Sequence, residues 1–118
     1  MPRQRPLHPL EHHPSFRATI AAAPPLAMLA ARLPAPELVG TLATACGDLA
    51  DGFAAPPESR RRREAHQRAW TAVREIDRAL AAARRRRGGA KGMPAELMAR
   101  AQHAIDRADV LIGALLLS

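Results

Sequence analysis

Arginines form two dense clusters in this sequence. Arg60 to Arg63 are consecutive, and a second run, Arg84 to Arg87, follows after an apolar stretch with Lys91 close behind. Guanidinium groups are planar, stay charged and bind phosphate through paired hydrogen bonds, so nucleic acid is the expected partner. We therefore predict a non-sequence-specific nucleic-acid interface that comprises Arg60, Arg61, Arg62, Arg63, Arg68, Arg84, Arg85, Arg86, Arg87 and Lys91.

The helical setting limits what these two arginine clusters can do. Neighbouring residues on a helix point about 100° apart, so four consecutive arginines cannot all be buried or paired. At a helix N-terminus their charge opposes the dipole, whereas near a C-terminus the dipole favours cations. Fold stability therefore explains the first cluster poorly and the second one well. The alternative is that an arginine-rich composition, with a formal net charge of +7, serves solubility alone.

The other titratable side chains give weak signals for catalysis. The sequence has 5 histidines, and none falls in a zinc-protease, di-iron, nucleophile-elbow or phosphate-loop pattern. His103 and Asp106 lie one helical turn apart and form half of a metal site at most, while a solvated pair is the simpler interpretation. The sequence thus predicts a protein that is not an enzyme, with no cofactor, no metal and no small-molecule substrate.

Composition favours a single all-α domain. The chain has 118 residues, of which 47% are hydrophobic, chiefly alanine, and only 3% aromatic. Small side chains suit close helix packing better than a sheet core, which uses β-branched and aromatic residues. A single cysteine, Cys46, excludes an intrachain disulfide and fits a reducing compartment, so we expect a cytoplasmic protein. The C-terminal apolar run is far shorter than the roughly twenty residues of a membrane span, so no membrane partner is expected.

Prolines and apolar spacing divide the chain into a tail and four helices. Residues 1–14 are rich in proline and are predicted to be a flexible tail, followed by a bundle over 15–118. Pro24 and Pro25 are tolerated only where a helix begins, so the first helix is predicted to start at Pro25. The predicted helices cover about 25–33, 36–53, 58–87 and 94–117 and form an up-and-down four-helix bundle.

Glycines in the second predicted helix indicate close packing. Gly40 and Gly47 lie inside it, and each destabilises a helix by about 1 kcal/mol relative to alanine. With Thr44 and Asp51 they form a narrow stripe, along which we expect another backbone to approach. Gly52 is interpreted differently, as part of the signal that ends the helix.

The last predicted helix carries more apolar surface than one small bundle can cover. Residues 110–117 are apolar almost all round. This excess predicts self-association into a cyclic homo-oligomer. The predicted interface residues are Leu111, Ile112, Leu115 and Leu116.

Two short motifs resemble a known family of four-helix bundles. Thr44 to Phe53, "TACGDLADGF", resembles the signature S-I-P-x-N-I-A-E-G-F of the 23S rRNA intervening-sequence proteins, a family that includes the accessory variability proteins of diversity-generating retroelements. The Leu-Ala-acid-Gly-Phe end is kept, while the Ser, Pro and Asn are not. Ala69 to Asp77 resembles the family's A-x-G-S-L-x-E-L-E, with Glu75 matching the first glutamate.

The resemblance covers about residues 25 to 117. It implies an up-and-down bundle that assembles into a ring, typically a pentamer, with a basic surface for nucleic acid. In the retroelement branch, which the last two predicted helices resemble more, it also implies a reverse transcriptase partner. Pro24 and Pro25 depart from the family's long first helix.

Three functional hypotheses follow from the sequence. The first is a non-catalytic accessory factor that binds RNA or DNA electrostatically, with the reverse transcriptase partner that the resemblance implies. The second is a structural adaptor for a protein partner, with no nucleic-acid role. The third is a chain in which an ancestral binding activity has been lost.

Overall fold

The computed structural model describes residues 13–30, 37–85 and 95–117, and these form helices and short connections with no strand. Two short helices, α1 and α2, follow each other closely and share one corner of the bundle. The five helices therefore fill four positions, which confirms the all-α bundle predicted from the sequence. They are α1 (Pro14–Ala21), α2 (Ala23–Leu29), α3 (Leu38–Ala54), α4 (Arg60–Arg85) and α5 (Ala95–Leu117).

The helices contact one another in a closed cycle. α3 packs mainly on α4, α4 on α5, and α5 on α1 and α2, which return to α3. The rings of His13, before α1, and Phe53, near the end of α3, lie 4.1 Å apart. The start of α4 and the end of α5 meet at the same place, where Arg62 and Leu116 line one cavity. Neighbouring helices therefore run in opposite directions, and we call this end of the bundle the cavity end.

The core is built from small and aliphatic side chains at helical spacing. In α4 the buried positions recur every three or four residues, as expected for a helix that packs two neighbours. Its 26 residues span about 39 Å, so it forms the long side of the bundle. The largest fully buried side chains are Leu26, Leu29, Leu49, Val73, Ile76, Leu80, Ile105 and Ile112.

The first helical segment differs from its prediction over 25–33. The chain is already helical at Pro14, and Ala22, between α1 and α2, keeps right-handed helical angles with φ −76° and ψ −18°. Pro24 and Pro25 lie in the first turn of α2, where a missing N–H removes no hydrogen bond within that helix. The prolines thus divide a helical segment without ending it. The predicted end at Leu33, and residues 1–12 of the predicted tail, lie outside the described residues.

The connection from α3 to α4 is a tight turn. The amide of Ser59 donates to the carbonyl of Pro56, and Glu58 has a left-handed φ of 64°. The hydroxyl of Ser59 then accepts from the amide of Arg62 at 3.1 Å, as an N-cap does. α4 therefore begins two residues later than the predicted Glu58. The other predicted bounds of α3 and α5 agree within two residues, the usual uncertainty of helix ends.

Membrane insertion finds no support in the described part of the chain. None of its helices combines the length and the apolar character that a membrane crossing requires.

Candidate functional site

Arg62 holds the end of α3 rather than facing solvent. Its Nε donates to the carbonyl of Gly52 at 2.9 Å, and its Nη2 donates to those of Phe53 and Ala55 at 3.1 and 3.0 Å. The last carbonyls of a helix have no partner within the helix and carry partial negative charge. The guanidinium thus binds two carbonyls at the end of the helix and that of the C-cap residue Ala55, so Arg62 has a structural role besides its predicted contact with nucleic acid.

The position of Arg62 follows from the helix period. It precedes the buried residues Ala65 and Ala69 by three and seven positions, so it lies on the face of α4 that packs on the bundle. The other members of the first cluster lie off this face and are exposed. The side chain of Arg60 is 90% exposed, and its Nε is 3.8 Å from Glu64. Arg61 and Arg63 are exposed as well.

The remaining predicted arginines have mixed surroundings. Arg68 pairs with Asp48 of α3 at 3.2 Å. Arg84 donates to Gln102 of α5, and Arg85 is exposed in the last turn of α4. Arg86, Arg87 and Lys91 lie outside the described residues. The two clusters are at opposite ends of a helix about 39 Å long, so one protomer does not combine them into a single patch.

A cavity of about 410 Å³ opens beside the first arginine cluster. The N-terminal side of α1, the end of α3, the start of α4 and the end of α5 all contribute to its wall. Its polar lining includes both a carboxylate, from Glu58, and two guanidinium groups. The other principal lining residues are His13, Phe53, Arg62, Arg63, His66 and Leu116.

Three rings are packed in series at this cavity. The Phe53 ring lies 4.1 Å from that of His13 and 4.8 Å from that of His66. Nδ1 of His13 is 2.8 Å from the hydroxyl oxygen of Ser15, which holds the first ring in place. The guanidinium carbon of Arg62 lies 5.8 Å from the centre of the Phe53 ring, within cation–π range. The helix ends at the cavity are thus joined by aromatic and cationic contacts.

His66 is enclosed against Gly52. It is 3% exposed, and a Cβ added at Gly52 would lie 2.5 Å from its Nε2. The ring therefore occupies space that only glycine leaves open. Its Nε2 is buried and finds no hydrogen-bond partner among the described residues. An unpartnered buried nitrogen destabilises the protein by about 1–3 kcal/mol, so this position calls for a ligand, a water or a functional reason.

Both imidazoles at the cavity are held neutral at neutral pH. Burial lowers the pKa of His66 below 6.5, and the nearby charge of Arg62 and the neighbouring His13 lower it further. Burial and Arg62 also lower the pKa of His13. A neutral imidazole offers one donor and one acceptor nitrogen, so this wall can hydrogen-bond with a neutral polar group.

Outside the cavity, Trp70 joins α4 to α5. Its Nε1 donates to Asp109 at 2.6 Å, and the guanidinium of Arg74 lies 4.7 Å from its ring centre. Trp70 is half-buried against the core. It is the only tryptophan of the chain, so its fluorescence reports on the packing of α4 against α5.

The predicted oligomer interface is largely part of the protomer's own core. Ile112 is fully buried, which corrects its assignment to an intermolecular surface, and Leu111 and Leu115 are half-buried against the same core. Leu116 is half-buried and lines the cavity. The large apolar side chains of this run that stay exposed are Val110, at 69%, and Leu117, at 91%.

The two glycines of the predicted small-residue stripe of α3 have no close neighbour within the described chain. A Cβ built on Gly40 or Gly47 meets nothing within 4 Å, so neither is a packing glycine there. A polar groove of about 370 Å³ runs between α3 and α4, and Glu75 lines it together with Asp48 and Arg68. Across the described ranges, no three His, Cys, Asp or Glu side chains converge as metal ligands do.

Sequence reasoning missed the cavity although its signal is present. Arg62 and His66 continue the apolar spacing of Ala69 and Val73 towards the start of α4, at intervals of four, three and four. A polar residue in register with a core seam is buried and needs a partner. Their spacing therefore identifies Arg62 and His66 as residues that pack against the bundle.

Comparison with known proteins identifies no relative. No protein-family model matches the chain, and no curated protein or solved structure does.

Proposed function

We propose that this chain is a non-catalytic helical bundle that binds the phosphate backbone of RNA or DNA at its cavity end. One observation carries the proposal. Of the four consecutive arginines at the start of α4, only Arg62 is used by the fold, and Arg60, Arg61 and Arg63 remain exposed beside an open cavity.

The electrostatics of this helix end favour an external anion. Three exposed guanidiniums lie where the dipole of a 26-residue helix is positive, and each such cation is unfavourable by some tenths of a kcal/mol. Within the described chain, Glu64 offers only a long, exposed pair to Arg60. A phosphate backbone would relieve this repulsion and accept paired hydrogen bonds from the guanidiniums.

The resemblance to intervening-sequence and retroelement accessory proteins is compatible with this proposal and extends it. It implies a cyclic homo-oligomer, typically a pentamer, and in one branch a reverse transcriptase partner. Exposed Val110 and Leu117 would supply apolar surface for self-association. Several copies would multiply the phosphate contacts of one protomer and steepen the dependence on salt.

A second candidate is a protein adaptor without a nucleic-acid role. The exposed Val110 and Leu117 favour it, because they lie seven positions apart on one face of α5 and together offer an apolar surface to a partner protein. In that case the exposed arginines would serve solubility or an acidic partner.

Filter binding of a single-stranded RNA, a single-stranded DNA and a DNA duplex at increasing salt tests the proposal. We expect all to bind at low salt and to weaken steeply by physiological salt. No binding, or affinity that is flat with salt, would exclude it. Pull-down before and after nuclease treatment separates the two candidates, since only the adaptor keeps its partner.

A further inference from the structure

We infer that the cavity at this end of the bundle receives one unpaired nucleotide of a bound strand. The inference rests on the proposed function. It adds that the cavity end binds unpaired nucleotides in preference to paired ones. Backbone contacts alone would not distinguish paired from unpaired nucleic acid, whereas a cavity that accepts a base would.

The size and walls of the cavity fit a flat ring better than a flexible chain. Its volume of about 410 Å³ falls within the range of about 300–1,000 Å³ typical of small-molecule sites. Phe53 and the His13 imidazole give it aromatic lining, and Leu116 gives it an aliphatic wall. Bases of single strands are commonly held by stacking on such side chains.

Positive charge extends from the cavity onto the exposed start of α4. This arrangement favours a polyanion over a small amphiphile as the ligand. Arg63 lines the cavity and is exposed, and Arg60 and Arg61 precede it on the same helix turn. A fatty acid would offer one carboxylate to this region. A strand whose base enters the cavity would present successive phosphates to the exposed guanidiniums.

The histidines add hydrogen-bonding capacity at the wall. Both are held neutral, so they do not compete with the arginines for a phosphate. Nε2 of His66 has no partner among the described residues. That atom is enclosed against Gly52, so hydrogen bonding to a base would fall to the His13 imidazole, which lines the cavity. Glu58 is the carboxylate at this cavity, and it disfavours a phosphate deep inside, which leaves the phosphate at the arginine rim.

Binding of matched oligonucleotides tests the inference. A blunt DNA duplex is compared with the same duplex carrying three unpaired nucleotides at one end, at a fixed salt concentration. One stacked base is worth about 1–3 kcal/mol, so we expect the overhang to bind roughly 5- to 150-fold more tightly. Equal affinities would overturn the inference and leave the proposed function standing. Failure of both duplexes to bind would instead remove the proposed function.

Two neighbouring leucines provide a matched pair of variants. Leu116→Trp fills the cavity, while Leu117→Trp adds the same ring on a side chain that is 91% exposed and does not line it. We expect Leu116→Trp to abolish the preference for the overhang. Leu117→Trp should keep the preference. If both variants lose the preference for the overhang, or if both keep it, the inference is contradicted.

A titration of the unaltered chain keeps the test independent of folding and separates a strand from a free nucleotide. Adenosine monophosphate, uridine monophosphate and inorganic phosphate are added separately while the imidazole proton signals are followed by NMR. We expect both nucleotides to shift the signals of His13 and His66, leave exposed His103 unchanged, and bind far more weakly than the overhang. If inorganic phosphate reproduces the shifts, or neither nucleotide causes any, the cavity does not bind a base. Mononucleotide binding as tight as the overhang would mean that the cavity serves free nucleotides.

Discussion

The imidazole of His66 fills the space that a side chain at Gly52 would need. A Cβ built on Gly52 would come within 2.5 Å of Nε2, a distance that real Cβ atoms do not show. Gly52 lies within α3, next to the carbonyls that Arg62 binds, so glycine, histidine and arginine form one connected unit at the cavity end. This unit fixes how α3 meets α4.

Replacing Gly52 with alanine should therefore destabilise the protein. Overpacking of this kind destabilises by about 1–3 kcal/mol, which outweighs the gain of about 1 kcal/mol in helix propensity. Urea unfolding followed by Trp70 fluorescence would measure the change. Gly47→Ala is the control, because Gly47 is exposed in the same helix with nothing within 4 Å, and it should stabilise by up to about 1 kcal/mol.

A double-mutant cycle identifies His66 as the group that is displaced. If the imidazole causes the clash, Gly52→Ala should be tolerated better in the background of His66→Ala. We expect a coupling free energy of about 1–3 kcal/mol between the two sites. Additive effects would mean that the ring moves freely away from Gly52.

The three hydrogen bonds of Arg62 predict a strict requirement for arginine. Arg62→Lys keeps the charge but cannot bridge the carbonyls of Gly52, Phe53 and Ala55 together, so we expect a loss of about 2–3 kcal/mol in the free energy of unfolding. The neighbouring Arg61→Lys should change it by less than about 0.5 kcal/mol, because Arg61 is exposed. If Arg62→Lys and Arg61→Lys change the free energy of unfolding equally, the three hydrogen bonds of Arg62 contribute little to stability.

The left-handed backbone of Glu58 predicts a stabilising substitution. Its φ of 64° is unfavourable for a residue with a Cβ and ordinary for glycine. Glu58→Gly should raise the free energy of unfolding by about 0.5–1 kcal/mol. Glu58→Ala removes the same carboxylate but keeps the strain, so it should not stabilise. A gain of the same size in both would assign the effect to charge.

The lowered pKa values predict loss of stability in mild acid. Because folding lowers the pKa of His13 and His66, the unfolded chain binds more protons once the pH falls below about 6.5. The contribution of the two neutral imidazoles to the free energy of unfolding is therefore complete above this pH. It is lost as the pH falls through their lowered pKa values. Each additional proton bound by the unfolded chain lowers the free energy of unfolding by at most about 1.4 kcal/mol per pH unit.

Removing one imidazole should flatten this dependence. Unfolding free energies of the native chain and of His66→Gln, compared between about pH 6.5 and 5, should fall less steeply in the variant. His103→Gln, at an exposed site on α5, should keep the native slope. An unchanged slope in His66→Gln would mean that this imidazole does not take part.

Much of the fold was predictable from the sequence because it depends on periodicity. The repeats of Ala69, Val73, Ile76 and Leu80 placed α4, and proline and glycine marked the connections. The first helical segment was misplaced because Pro24 and Pro25 were assigned to the first helix start, whereas they lie in the first turn of a second one. Local proline rules do not specify which helix start a proline occupies, since packing decides it.

The candidate site was predicted only in part, for a reason of geometry. Arginine clusters are visible in a sequence, but which member turns inward depends on the helix phase and on carbonyls brought near by another helix. The role of Arg62 requires the end of α3, and that of Gly52 requires His66. Such relationships join residues on different helices and become visible only when the helices are assembled.

In the proposed complex Arg60, Arg61 and Arg63 contact the nucleic acid, while Arg62 serves the fold. The most direct test measures affinity against salt for the native chain and for two triple variants. Arg60→Ala, Arg61→Ala and Arg63→Ala are combined in one. Exposed arginines outside the cavity end are changed in the other, which combines Arg78→Ala, Arg100→Ala and Arg107→Ala.

Both triple variants lower the formal net charge of +7 by three, so only the position of the charge differs. We predict that the cavity-end variant loses affinity and that its log–log salt slope falls by about 0.9 for each phosphate contact removed, with the other variant close to native. Equal slopes in the two variants would contradict the account, because binding would then follow total charge and not this cluster.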